Sequence, residues 1–129
     1  MSDLLEGFWD ADLVDGVLLA RRSEKRSDDM DGFLRSFDGF YAALGDAEPS
    51  ACKLLIDLRK SLGRNDPDFE ERLVERRREL FRRFARTAVL VRSAVGEMQV
   101  QRHVEEDGCL DIVTVFSSEA EALAWLRSE

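Results

Sequence analysis

A single histidine, His103, and two cysteines, Cys52 and Cys109, leave this chain short of transition-metal ligands. No CxxC pair occurs, so a zinc or iron–sulfur site is not expected, and neither is any other cofactor. The same scarcity weakens nucleophile–base chemistry, which needs facing groups; His103 lies beside Arg102 and Glu105 in a polar stretch and reads as a surface residue. No apolar run approaches the roughly 18–20 residues that span a bilayer. The opening residues, Met1-Ser2-Asp3-Leu4-Leu5-Glu6, lack the basic-then-apolar layout of a signal peptide, so a cytoplasmic location is expected. In that compartment Cys52 and Cys109, each at the leading edge of a predicted strand, read as reduced, buried thiols; a disulfide between neighbouring strands is the alternative. Positive charge is also in deficit. The formal net charge of −8 repels phosphates and disfavours nucleic acid as a partner.

What is present suits one folded domain over residues 1–129: 44% of the residues are hydrophobic and 36% charged, enough of each for one core and a soluble surface. Strand-like and helix-like patterns alternate. Phe8 to Val14 and Val17 to Arg22 are joined by Asp15-Gly16, a two-residue hairpin signal, and Asp10 and Asp12 give the first strand one wet face. Ser27 is placed to cap a helix whose apolar stripe runs through Met30, Phe33, Leu34, Phe37, Phe40, Tyr41 and Leu44, ended by Gly45 and Pro49. Three short apolar runs follow, Lys53–Leu58, Ala88–Val91 and Ile112–Phe116, each with a helical stretch behind it, which is the signature of parallel βα units. Asp66 and Pro67 open the first of these helices, predicted to reach Arg86; Ser93–Glu106 forms a weaker one, diluted by Gly96. Ser118 and Glu121 form a capping box for the last. The expected fold class is α/β, a five-stranded, mostly parallel sheet with an N-terminal β-hairpin and four helices in the order β-β-α-β-α-β-α-β-α. Leu55, Ile56, Val89, Val91, Phe37, Phe84 and Leu126 are the expected core.

Charge is unevenly placed. From Pro67 to Arg86 seven arginines face five acids, a segment of +2 on a chain of −8. Either this helix is a solvated face held by its own ion pairs (Glu75–Arg78, Glu79–Arg82, Glu79–Arg83), or it is a face for an acidic partner. Phe69, Leu73, Leu80, Phe81 and Phe84 make its inner stripe, and Arg76 or Arg77 falls in the gap of that stripe and is expected to reach its rim.

The element order resembles the STAS fold of SpoIIAA-like anti-sigma-factor antagonists. Leu54-Leu55-Ile56-Asp57-Leu58 is similar to that family's central strand with its Asp-Leu ending, and Thr87-Ala88-Val89-Leu90-Val91 to the next strand. Phe116 to Leu126 resembles the F-x-x-x-x-E-A-x-x-W-L ending of a branch distinct from the sigma-regulators. The resemblance covers nearly the whole chain and implies a non-enzymatic bacterial regulatory or protein-interaction module, with another protein as partner and room for a homodimer. One departure stands out. Sigma-regulating members open the helix after the central strand with Asp-Ser-x-Gly and are phosphorylated there; this chain reads Gly63-Arg64-Asn65-Asp66-Pro67-Asp68, with Ser61 as the nearest hydroxyl. The partner face then comprises Arg59, Lys60, Ser61, Arg64, Asn65, Asp66, Arg72 and Arg76, because open α/β sheets present binding groups at the carboxyl ends of strands and at adjacent helix N-termini.

Two other classes compete. Phe33, Phe37, Phe40, Phe81, Phe84 and Trp125 could line a pocket between sheet and helices for a small apolar ligand, making the protein a carrier or sensor. An enzyme would have to use Asp57 with Arg59 and Lys60, a constellation that resembles many structural strand ends.

Overall fold

The computed structural model describes residues 7–24, 30–60 and 67–128. Two antiparallel strands, β1 (Trp9–Val14) and β2 (Val17–Arg22), form the hairpin, and Asp15 and Gly16 both take positive φ, 52° and 78°, as its tight turn requires. Helices α1 (Met30–Ser36) and α2 (Asp38–Ala43) lead to β3 (Lys53–Asp57). Then follow α3 (Pro67–Arg83), β4 (Thr87–Leu90), α4 (Ala94–Glu106), β5 (Val113–Phe116) and α5 (Glu119–Arg127). The strands lie in the order β1-β2-β3-β4-β5, with β2 to β5 all parallel. The expected α/β class and sheet are therefore present.

Alternation along the parallel strands divides the interior in two. Leu18, Ala20, Leu54, Ile56, Val89 and Val115 point to a large core shared with α1 to α4. Right-handed crossovers between successive parallel strands put their helices on one face. Val17, Leu55 and Ala88 point the other way and are covered by Ala122 and Leu126 of α5. All seven expected core residues are buried, and both cysteines are free and buried. No described helix is long and apolar enough to cross a membrane.

Two boundaries differ from the sequence expectation, each for a packing reason. The first helix divides at Phe37, where Phe37 N–H donates to Leu34 O and Phe40 N–H to Phe37 O in tighter three-residue turns. The division brings Phe33, Phe37 and Phe40 around Trp9 at centroid distances of 6.3, 6.2 and 5.0 Å, the last edge-to-face. Helix α3 ends at Arg83, three residues early, because Ala85 N–H already donates to Cys52 O and Arg86 O accepts from Leu54 N–H. Helix α4 is regular despite Gly96. Ser93 caps it by accepting from Gly96 N–H at 3.1 Å, and a Cβ at Gly96 would sit 3.3 Å from that hydroxyl oxygen. The expected caps Ser27 and Asp66 lie outside the described residues.

Candidate functional site

The carboxyl end of β3 carries a cross-linked group of four charges, Arg21, Asp57, Arg59 and Glu119. Parallel register sets Asp57 beside Arg21 of β2, and both point to the face that α5 covers. Arg21 Nη1 donates to Asp57 Oδ2 at 2.9 Å and to Glu119 Oε1 at 2.8 Å. Just beyond β3, the Arg59 backbone N–H and Nε both donate to Asp57 Oδ1 at 3.0 Å, and its Nη2 donates to Asp57 Oδ2 at 2.8 Å and to Glu119 Oε1 at 2.9 Å. Glu119 is the first residue of α5, where the helix N-terminus favours a negative charge, and Ser118 Oγ accepts from Glu121 N–H in the expected cap. Two arginines and two carboxylates thus form one neutral, cross-linked cluster joining β2, β3 and α5.

Burial raises the Asp57 carboxyl, but hydrogen bonds from the Arg59 side chain, its backbone N–H and Arg21 outweigh that and hold it below its ordinary 3.8. Glu119 is held below its ordinary 4.5, chiefly by its hydrogen bond from Arg21. Arg21 and Arg59 are raised, by hydrogen bonds to Glu119 and Asp57 respectively. Depressed carboxylates bind protons more readily in the unfolded chain. Their stabilisation is therefore full above the ordinary values and is lost as pH falls through the folded ones. Urea unfolding of the native chain and of an Asp57→Asn/Glu119→Gln variant should show a stability gap at pH 6–7 that narrows below pH 4.5 and continues to close below 3.8. A gap that does not change with pH would show that these carboxylates contribute nothing through ionisation.

The expected partner-face residues are distributed differently. Arg59 belongs to the cluster and Lys60 is exposed beside it. Ser61, Arg64, Asn65 and Asp66 lie outside the described residues. Arg72 and Arg76 stand on the outer side of α3 and reach α1 and α2: Arg72 Nη2 donates to Asp31 Oδ1 at 2.6 Å and Arg76 Nη1 to Asp38 Oδ1 at 3.3 Å. Of the three expected ion pairs within α3, Glu79–Arg83 is formed, at 2.9 Å. Sequence reasoning missed Arg21 and Glu119. A signal existed for each: Arg21 is the fifth residue of a strand whose neighbour carries Asp57 fifth, and Glu119 follows a recognisable helix cap.

Arg77 fills the gap in the α3 stripe and turns to the rim. Its Nε and Nη2 donate to the two carboxylate oxygens of Asp107 at 2.8 and 3.2 Å. Behind this pair lies an apolar cavity of about 190 Å³ between the sheet and helices α1 to α4. Phe33, Phe37, Phe40 and Phe81 line it as the aromatic stripes suggested; Phe84 and Trp125 do not. Phe84 packs beside Tyr41, and Trp125 is on the opposite face of the sheet, where the Arg86 guanidinium lies 4.7 Å from its ring centroid. His103, expected on the surface, is half-buried and forms part of the cavity wall. Another arginine nearby is buried: Arg22 lies over the rings of Phe8, Trp9 and Phe33 at 5.1–5.8 Å. Burial pushes it down to about 10, which leaves it charged at neutral pH.

No protein-family model matches this chain, and no curated protein matches it either. A solved structure does. The crystal structure of an anti-sigma factor antagonist from Mycobacterium paratuberculosis superimposes with a TM-score of 0.59 at 15% identity, covering 93% of each chain. The chain has the fold of an anti-sigma factor antagonist. Identity this low establishes architecture alone, and the anti-sigma-factor-antagonist fold accommodates the Asp57 cluster at its strand ends.

Proposed function

We propose that this chain is a non-enzymatic bacterial regulatory module of STAS/SpoIIAA-like type that acts by binding another protein. The observation that carries the reading is the fold, shared over 93% of both chains with a protein named for antagonising an anti-sigma factor. The binding face is the carboxyl end of β3 with the outer side of α3, through Arg59, Lys60, Ser61, Arg64, Asn65, Asp66, Arg72 and Arg76. Two features support it. Both oxygens of Asp57 are engaged by Arg21 and Arg59, an arrangement that serves to position rather than to transfer protons. The first turn of α3 reads Pro67-Asp68-Phe69-Glu70-Glu71, without a hydroxyl, so engagement in this module is set by fixed charge rather than by phosphorylation at that helix start.

The test uses Arg72→Gln/Arg76→Gln. The two pairs they break are exposed, each worth about 0–1 kcal/mol, so the variant should keep its fold. The native chain is used to recover a partner from its own cells, identified by mass spectrometry, and association is then followed at low and high salt. An acidic partner that associates more slowly with the variant, and with a flatter salt dependence, supports the reading, since rim charges act on the on-rate. Equal association rates at low salt would move the interface away from α3.

A further inference from the structure

Protein interiors are close-packed, and voids larger than a water molecule are few in any domain. The space left here between the sheet and the helices is about 190 Å³ and opens to the surface on one side. It exceeds an engineered cavity of about 150 Å³ that stays dry and takes up benzene. Its floor is aromatic and aliphatic carbon. The one polar atom of the Trp9 ring, Nε1–H, donates at 3.1 Å to Ser36, which is not part of the wall. Five wall residues are only partly buried: Leu58 after β3, Leu73 and Arg77 of α3, and Val100 and His103 of α4. They form a mouth between the two helices.

We propose that this cavity binds a small neutral aromatic molecule of about one substituted ring. The volume admits a ring and little more. Phe33, Phe37, Phe40 and Phe81 offer the edges and faces against which another ring packs well. The charge at the mouth sets the rest of the class. Arg77 is already matched by Asp107, whose carboxylate is 2% exposed, so the rim pair is neutral. A carboxylate entering beside it would shed its hydration and compete with Asp107 for the same guanidinium. A ligand hydroxyl meets Arg77 and His103 without that penalty. This site lies across the sheet from the Asp57 cluster and goes beyond the partner-binding reading without depending on it.

Methyl NMR of the whole chain titrated with p-cresol tests the proposal. The methyls of Ile56, Leu80, Val89 and Val104 should shift saturably, with a Kd of about 10 μM to 1 mM, the range that so few ligand atoms supply. The charged analogue 4-methylbenzoate should bind at least about tenfold more weakly. Val100→Phe, which places a ring in the mouth from α4, should weaken p-cresol by about tenfold or more; Leu73→Phe does so from α3 if the first variant does not fold. Cavity methyls that stay fixed up to the solubility of p-cresol overturn the site. Tighter binding of 4-methylbenzoate overturns the ligand class, and p-cresol affinity unchanged in the folded variants overturns the location.

Discussion

Replacing Arg77 by methionine is expected to lower stability by about 3–5 kcal/mol, the usual effect of removing one partner from a buried ion pair. Asp107 is 2% exposed and follows directly on α4, where it also caps the helix end. Methionine matches the arginine stem in bulk, so packing against the cavity wall is nearly kept while the carboxylate loses both of its donors. The effect then comes from an uncompensated buried charge rather than from a void. The double variant Arg77→Met/Asp107→Asn removes that charge and should recover at least about half of the loss. Urea titration at pH 7 reads both. A single-variant loss under about 1 kcal/mol would mean that water reaches Asp107 freely and that the pair does not tie α3 to α4.

Phe84→Ala belongs in the same range, about 3–5 kcal/mol, but by another route: lost transfer energy plus a cavity its neighbours cannot close. Phe84 is 2% exposed just after α3 and lies nearly parallel to Tyr41, with ring centroids 6.5 Å apart. Phe37→Ala should fall in this range too, since Phe37 is 6% exposed and packs against Trp9, Phe33 and Phe40. A loss below about 1 kcal/mol for either, with the unfolding slope unchanged, would show that the ring is not part of the core.

The features legible in the sequence were those decided within a few residues. Asp15-Gly16 demanded a positive-φ turn and Ser118 a capped helix, and the apolar runs through Ile56, Val89 and Val115 read as strands, the first two buried on both sides and the last on one. The Asp57 cluster was half legible. Arg59 is two residues from Asp57 and its place was legible; Glu119 meets Arg21 across 98 positions, and only sheet register and the passage of α5 to the opposite face bring both to Asp57. Asp107 stands before Gly108 as any turn residue would, and nothing nearby in sequence reveals a guanidinium arriving from 30 positions earlier. The aromatic stripes announced that they face inward. Whether the space they face is filled depends on how four helices meet over one sheet, and no single segment encodes that. The same limit explains Trp125, which lies near the chain's carboxyl end and was grouped with aromatics from which the sheet separates it.

Every strand in this sheet pairs with its neighbour in sequence, and among the described residues α5 alone closes the second face. A chain emerging from the ribosome can therefore assemble its first layer unit by unit, without waiting for a distant partner strand. The opposite side behaves differently. Val17, Leu55 and Ala88 lack the cover of α5 until residues 119–127 have been made, so a nascent chain stalled before Glu119 would present these apolar side chains to chaperones and to other nascent chains.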